Sequence, residues 1–172
     1  MMIKIVGAAL IFAACTILGF QLSRHLSERP KQLRYFKTAL QALEAEIMFG
    51  HIPLQEASVR LSKQMPKPVN LFFNMFSANL QTEEATVKNA WTESLTSISS
   101  MLALQKKDLE ILEQFGETLG KHDRFQQQKQ IALTMTHLER EENEALLAQS
   151  KYEKMIKSLG VLVGLLLIIL LV

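Results

Sequence analysis

The sequence predicts an all-α fold: a membrane-anchored antiparallel helical bundle with one transmembrane helix at each end. Two observations carry this prediction. The apolar residues of the 172-residue chain are concentrated at its two ends. In the polar middle, apolar residues recur at steps of three and four, which is the helical spacing. No segment shows the Val, Ile and Thr alternation of a strand. We therefore expect about six helices, the first and last of which run into the membrane.

The N-terminal transmembrane helix is predicted over residues 1–22. No side chain between Ile5 and Phe20 is charged. With its flanks this run reaches about 20 residues and spans roughly 30 Å as a helix, the thickness of a bilayer core. A cleaved signal peptide and lipoprotein processing at Cys15 are the alternatives. Both are disfavoured, because the apolar run continues past Cys15 and no convincing cleavage site follows.

The C-terminal transmembrane helix is predicted over residues 158–172. From Leu159 onward this segment contains only Gly, Val, Leu and Ile. Residues 159–172 reach about 21 Å as a helix, and Met155 and Ile156 extend the apolar length to about 27 Å if the Lys157 ammonium reaches toward the headgroups. A tail that only dips into the bilayer is the alternative.

The orientation follows from basic residues that flank both spans on the side of the polar middle. The positive-inside rule places residues 23–157 in the cytoplasm as a helical bundle. The same side chains are suited to contact anionic lipid headgroups, or serve only as topology signals. The flanking residues are Arg24, Arg29, Lys31, Arg34 and Lys37 after the first span, and Lys151, Lys154 and Lys157 before the second.

Five helices are predicted before the last one. The first runs from about Pro30 to Phe49, because proline suits a first helical turn. The Gly50–Pro53 segment separates it from a short second helix, and Pro66–Pro68 ends that one. Thr82, followed by two acids, is predicted to cap the fourth helix. The apolar stripes are Leu33, Phe36, Leu40, Leu43 and Ile47; Leu54, Ala57, Leu61 and Met65; Val69, Phe72, Phe73, Phe76 and Leu80; Val87, Trp91, Leu95, Ile98 and Leu102; and Leu109, Leu112 and Leu119 with Ile111 and Phe115.

The last helix is predicted to begin near Asp123, as its cap, and to run to Ser158 without proline or glycine. It has a heptad pattern that polar residues interrupt at Gln128, Glu142 and Gln149. We therefore expect a helix packed on its neighbours and not a free coiled coil. The predicted heptad positions are Ile131, Met135, Leu138, Ala145, Tyr152, Ile156 and Leu159.

Residues suited to catalysis are not arranged in any recognisable motif. The 19 basic and 17 acidic residues leave a net charge of +2, which does not indicate nucleic-acid binding. One cysteine excludes a disulfide scaffold, and the four histidines have no metal-ligand spacing. A phosphate-binding glycine loop and a nucleophile elbow are missing. The prediction is a protein that is not an enzyme and has no metal, cofactor or small-molecule substrate.

Two sets of residues are candidates for contacts. Gly160 and Gly164 in the second span, with Ala9 and Ala13 in the first, would let the two spans pack closely as a hairpin. A charged patch at 139–144 in the last helix is interpreted first as a solvated face and second as a docking surface. The partner- or lipid-contact candidates are Arg29, Lys31 and Arg34 and, in the acidic patch, Glu139, Glu141 and Glu142. Arg29 and Arg34 are equally suited to buried salt bridges.

Both ends of the polar middle carry a family resemblance. Residues 28–34 (ERPKQLR), 39–47 (ALQALEAEI) and 53–57 (PLQEA) form one set, and residues 119–123 (LGKHD), 139–145, 152–155 (YEKM) and 158–161 (SLGV) form the other. They resemble the stage III sporulation protein AB family. The match covers nearly the whole chain, including both spans. It is weak over residues 70–115, and nothing is carried over there.

The resemblance implies a non-enzymatic component of the channel apparatus that links the mother cell to the engulfed forespore, in the mother-cell membrane around the forespore. It also implies a soluble region similar to the cytoplasmic domain of the platform protein in type II secretion and type IV pilus machines. The implied partners are a cytoplasmic secretion-type ATPase, other membrane subunits of the same complex, and lipids. The alternative functions are a membrane-anchored sensor or regulator and a structural scaffold without ATPase coupling.

Overall fold

The computed structural model describes residues 17, 27–50, 52–82, 86–120 and 124–171. It divides the chain into two compact units, one formed by Met1–Glu28 with Glu144–Val172 and the other by Arg29–Asn143. The described residues form helices and turns, and no strand occurs among them. The all-helical prediction is confirmed for this part of the chain.

Six α-helices lie in the described residues, in the order that the apolar spacing predicts. The helix α1 covers 27–45 and passes into a π-helical turn at Glu46–Gly50. It is followed by α2 (Leu54–Gln64), α3 (Val69–Asn79), α4 (Val87–Ile98) with a 3₁₀ turn at Ser99–Met101, α5 (Lys106–Thr118) and α6 (Arg124–Leu171).

The core of the Arg29–Asn143 unit is built around Trp91 of α4. Its ring lies edge-on to Phe72, Phe76 and Phe115, at centroid distances of 4.6, 5.0 and 5.2 Å. The indole Nε1 donates a hydrogen bond of 2.8 Å to the Leu112 carbonyl, so the one polar atom of the buried ring is satisfied. The prediction that the phenylalanine stripe of α3 belongs to the core is confirmed.

Two predicted helix starts are wrong. Residues 27–29 are already helical, so α1 does not begin at Pro30. Proline is tolerated throughout a first turn, and it therefore locates a start only to within a few residues. Thr82 does not cap α4. Its hydroxyl donates to the Asn79 carbonyl, and the cap is Thr86, whose Oγ1 accepts from the Asn89 N–H at 3.1 Å. The predicted cap Asp123 lies outside the described residues.

The predicted register of α6 is only partly correct. Ile131 and Leu138 are fully buried, as the heptad pattern predicts, but Tyr152 and Leu159 are exposed. Polar residues complete the buried face of α6 in the Arg29–Asn143 unit, whose buried positions are Gln127, Ile131, Thr134, Leu138, Glu141 and Glu142. An apolar pattern could not find the whole of this face, because four of its six buried positions are polar.

Within the part of the chain that the structure describes, no helix has the length and apolarity needed to cross a membrane. Most of the predicted first span, including Ala9 and Ala13, lies outside the described residues. Gly160 and Gly164 belong to α6. In the unit that contains both chain ends, Gln149 Nε2 donates a hydrogen bond of 2.9 Å to Ser27 Oγ.

Candidate functional site: a buried charge cluster

Three helices of the Arg29–Asn143 unit meet at a buried ion pair. Arg29 of α1 donates from Nε to Asp108 Oδ2 at 2.8 Å and from Nη2 to Asp108 Oδ1 at 2.9 Å. This two-point geometry is the strongest arrangement of guanidinium and carboxylate. The Asp108 side chain is 0% exposed and that of Arg29 is 11% exposed. The pair therefore joins α1 to α5 inside the protein, across 79 residues of sequence.

The local structure of α5 explains the position of Asp108. It is the third residue of the helix, and its Oδ2 also accepts a 2.8 Å hydrogen bond from the backbone N–H of the N-cap residue, Gln105. A carboxylate at this position satisfies an otherwise unpaired donor and interacts favourably with the positive end of the helix dipole. Asp108 is thus held from its own helix before it pairs with Arg29.

Glu141 of α6 is the second buried carboxylate of the cluster. Its side chain is 1% exposed and accepts from Arg29 Nη2 at 3.1 Å. Lys107 Nζ lies 2.6 Å from the same oxygen, Oε2, and Arg140 Nη2 lies 3.3 Å from Oε1. Arg29 therefore joins carboxylates from α5 and α6. We call Arg29, Lys107, Asp108 and Glu141 the charge cluster.

A second set of ion pairs extends along the same two helices, α1 and α6. Glu142, which is buried, accepts from Arg34 Nε at 2.8 Å and from Lys37 Nζ at 3.1 Å. The Arg34 side chain is 60% exposed, so solvent screens much of this interaction. Glu139 is exposed and lies 3.9 Å from Lys37 Nζ. The basic residues of α1 thus face the acidic residues of α6.

The predicted contact residues therefore fall into two groups: buried residues that pair with each other inside the bundle, and exposed residues. Arg29 forms a buried salt bridge, which was the alternative to a partner or lipid contact for this residue. The interpretation of 139–144 as a solvated face is wrong for Glu141 and Glu142, because both are buried and paired with cations. A run of acids resembles a solvated face when its partners are distant in sequence. The exposed candidates are Lys31, Arg34 and Glu139.

Sequence reasoning missed Lys107 and Asp108. They lie in the region where the family resemblance is weak, and Asp108 pairs with a residue 79 positions away. The available signal was local. A carboxylate three residues after Gln105, at the start of an apolar-periodic segment, is the pattern of a helix N-terminus. That pattern predicts a cap and does not reveal the Arg29 partner.

Electrostatics hold Arg29 in its charged form. The hydrogen bond with Asp108 raises the pKa of Arg29 above its already high ordinary value, and the nearby Glu141 carboxylate adds to this effect. Burial acts in the opposite direction, by disfavouring the cation, but does not prevail. Two cations and two carboxylates make the charge cluster formally neutral. Its chemistry is structural: it cross-links three helices with fixed charges.

The described residues contain no group of three or more histidine, cysteine, aspartate and glutamate side chains placed to hold a metal ion. Of the four histidines only His137 lies in the described part of the chain, and it is exposed.

Comparison with known proteins places the chain in a family. The sequence model described as stage III sporulation protein AB matches residues 4–172. The chain belongs to the stage III sporulation protein AB family. The stage III sporulation protein AB of Bacillus subtilis (strain 168) is 51% identical over 170 residues, which cover 99% of this chain and 99% of that protein. A solved structure of stage III sporulation protein AB (SpoIIIAB) superposes with a TM-score of 0.69 at 49% identity, covering 72% of this chain and 98% of the other.

These comparisons confirm the family resemblance of the sequence. Membership in the stage III sporulation protein AB family supports a role in sporulation. The family is named for a stage of sporulation and not for a reaction. The superposition with a solved member supports the helical bundle as the family's fold.

Proposed function

We propose that this protein is a non-enzymatic membrane component of a secretion-like channel complex needed for endospore development, and that its helical bundle docks a cytoplasmic secretion-type ATPase. Other membrane subunits of the same complex and membrane lipids are the further proposed partners. The proposed location is the mother-cell membrane around the forespore, with two spans and a cytoplasmic bundle. Family membership supports the sporulation role, and the ATPase is the partner that we infer.

The observation that carries the scaffold part of this proposal is the charge cluster. Arg29 binds carboxylates of both α5 and α6 through three hydrogen bonds of 2.8 to 3.1 Å. Breaking a buried ion pair of this kind costs about 3 to 5 kcal/mol, so these helices resist separation. A platform that supports an ATPase needs such rigidity. A sensor whose helices change register would have to break this cluster, and the scaffold role is therefore the better supported one.

Membrane anchoring is supported by the distribution of apolar residues. Residues 5–20 carry no charge, and the chain ends in an apolar stretch after Ser158. Ile17, the one described residue of the first proposed span, is helical and exposed. The helix α6 continues without a break to Leu171. A helix that extends into the bilayer from the bundle would couple a docked ATPase to the membrane subunits.

The docking surface is proposed to include Lys31 and Glu139. Both side chains are exposed, on α1 and α6 respectively. Glu139 pairs only loosely with Lys37, whose Nζ lies 3.9 Å from its carboxylate. Exposed charges at the rim of an interface mainly set the association rate and its dependence on salt. Arg29 and Glu141 are not suited to direct docking, because their charges are used inside the cluster.

Co-purification of the ATPase with charge-reversal variants tests this surface. Full-length tagged protein is isolated from sporulating cells and probed for a secretion-type ATPase. Lys31→Glu and Glu139→Lys are each expected to lower the recovered ATPase severalfold. Lys63→Glu on α2 and Glu110→Lys on α5 make the same charge changes at exposed sites and are expected to recover as much ATPase as the wild type.

The outcomes separate the two roles. If the wild-type protein recovers the ATPase and the four variants do not differ, the assigned docking surface is wrong. If folded, membrane-inserted wild-type protein recovers no ATPase, docking itself fails. The protein would then be a regulator or a structural scaffold without ATPase coupling.

A further inference from the structure

The seven-residue apolar repeat of α6 is buried only in its first half. The unit that holds the charge cluster buries Ile131 and Leu138 completely. In the unit that contains both chain ends, Ala145 is buried, but Tyr152 and Leu159 are exposed. One continuous helix carries all five positions. The second half of the repeat therefore presents an exposed apolar face.

This exposed face has the spacing of a coiled-coil seam. Alternating steps of three and four residues keep side chains on one side of a helix, which is the pattern with which two helices pack side by side. In the sequence, Leu166 and Ile169 continue the same steps toward the end of α6. We call the described members of this face, which are between 39% and 63% exposed, the α6 seam: Tyr152, Met155, Leu159 and Leu162.

The contact of α6 with the N-terminal part of the chain lies on a different face of the helix. Gln149 Nε2 donates a hydrogen bond of 2.9 Å to Ser27 Oγ. Gly160 lies about three turns further along α6, on the same side as Gln149. The α6 seam is rotated from Gln149 by about 60 to 140° around the helix axis. The predicted packing of the two spans through Gly160 and the α6 seam therefore use different sides of α6.

The α6 seam consists of uncharged residues, which suits a symmetric pair. Two copies that follow the same topology have the same orientation in a membrane, so their α6 helices can pair only in parallel. In a parallel two-fold pair each seam residue faces its own counterpart, and a charged residue would then meet a like charge. The neighbouring cation, Lys151 Nζ, lies 5.2 Å from the centre of the Tyr152 ring of its own helix.

The position of the α6 seam along the chain favours a second helix as its cover. Leu159 and Leu162 belong to the proposed span, where lipid alone would suit them. Tyr152 and Met155 precede that span, and lipid would leave them in the polar region. A water-soluble partner would cover only this first pair. A helix that runs alongside α6, from the cytoplasmic side into the bilayer, covers all four.

We propose that α6 pairs in parallel with α6 of a second copy of this chain through the α6 seam. The exposed seam, its coiled-coil spacing and its uncharged residues together meet the requirements of such a pair. The inference rests on the proposed function in placing both copies in one membrane with the same orientation. It adds a dimer contact to the proposed channel component.

Disulfide cross-linking of the full-length protein in membranes tests the pair. Cys15, the only native cysteine, is first replaced by serine. Single cysteines are then introduced one at a time by Tyr152→Cys, Met155→Cys and Leu159→Cys. A disulfide needs two Cα atoms within about 7 Å, a distance that identical seam positions of a parallel pair can reach. Each variant is expected to form a covalent dimer when oxidised with copper phenanthroline.

Two control positions separate the α6 seam from mere exposure. Leu147 is 71% exposed, more than any seam residue, but lies outside the seam on the same helix. Ser150 is exposed on the side of α6 opposite the seam. Because neither position faces its counterpart, Leu147→Cys and Ser150→Cys should each give at least about tenfold less covalent dimer.

A charge variant provides a measurement without cross-linking. Met155→Glu places two carboxylates against each other in the pair and should lower the dimer fraction severalfold, measured by mass photometry of the full-length protein in detergent. Leu147→Glu is the matched control and should leave the dimer fraction of the wild type. Fluorescence of the buried Trp91 verifies that each variant is folded.

Several results would overturn the inference. Folded, membrane-inserted seam variants form no covalent dimer, as they would if lipid or another subunit covered the seam. Leu147→Cys cross-links as well as the seam variants. A single seam position cross-links, which indicates a crossing or antiparallel contact.

The assays distinguish this inference from the proposed function. Cross-linking contains no ATPase, so its failure leaves ATPase docking untouched, and failure of the co-purification leaves the pair untouched. Release of the protein from membranes by alkaline carbonate would contradict the proposed membrane location, whereas the cross-linking pattern alone decides the pairing.

Discussion

Removal of the Asp108 carboxylate is expected to destabilise the bundle strongly. Asp108→Ala deletes two hydrogen bonds from Arg29, of 2.8 and 2.9 Å, and one of 2.8 Å from the Gln105 N–H. Arg29 is left inside the protein with Glu141, at 3.1 Å, as its remaining carboxylate partner. Breaking a buried ion pair costs about 3 to 5 kcal/mol. Because Glu141 still compensates part of the charge, we expect a loss near the lower limit, about 3 kcal/mol.

Urea unfolding of the full-length protein measures this loss. Trp91 is the only tryptophan, and it is fully buried, so its fluorescence reports the unfolding of the core directly. Glu110→Ala is the matched control, since Glu110 lies on the same helix in an exposed pair with Lys106 at 3.7 Å. This control should stay within about 0.5 kcal/mol of the wild type.

A double-mutant cycle separates the ion pair from the loss of the helix cap. If Arg29 and Asp108 interact as the distances indicate, the Arg29→Met and Asp108→Ala effects are non-additive by about 2 kcal/mol. Strict additivity, or an Asp108→Ala variant as stable as the Glu110→Ala control, would refute the view that this cluster holds the three helices together.

Three further predictions concern the same unit. Gly116→Ala should destabilise the protein by about 1 to 3 kcal/mol and red-shift the fluorescence, because the new Cβ would lie only 2.6 Å from Trp91 Cγ and 2.8 Å from its Nε1. Arg34→Ala should cost less than about 1 kcal/mol in urea unfolding, because its side chain is mostly exposed and Glu142 keeps a second cation. The pKa of Arg29 is higher in the folded than in the unfolded protein, mainly because of its hydrogen bond with the Asp108 carboxylate. The charged Arg29 therefore stabilises the fold fully at any pH below its pKa in the unfolded chain, and this contribution is lost only as the pH rises beyond about 12. The destabilisation caused by Arg29→Met should therefore be equal at about pH 6 and about pH 9, as measured by urea unfolding.

The helices could be predicted from the sequence because their apolar stripes are local. Leu33, Phe36, Leu40 and Leu43 follow the 3.6-residue period, and all four are fully buried in α1. The aromatic core was predictable for the same reason, since large apolar side chains at helical spacing have few alternatives to burial. The ends of the helices were harder to predict from the sequence. Thr82 and Thr86 are both suitable caps for α4, and only the fold selects between them.

The charge cluster could not be predicted, because charged residues are ordinarily exposed and burial of a charge depends on a partner. Glu141 is buried only because Arg29 and Lys107 lie against it, and these residues are 112 and 34 positions away in sequence. The basic and acidic sets were both identified as candidates, but as separate surfaces. Three-dimensional proximity converts them into one internal network, and that proximity is not encoded in any local pattern.

The most direct test of the proposed function is the binding of the purified ATPase to the full-length protein in lipid nanodiscs. Binding is followed by interferometry as the ATPase is titrated at two salt concentrations. We expect saturable binding with a Kd of about 1 µM at low salt, weakened at high salt and by Glu139→Lys. Folded protein in nanodiscs that shows no saturable binding at either salt concentration would contradict the docking role.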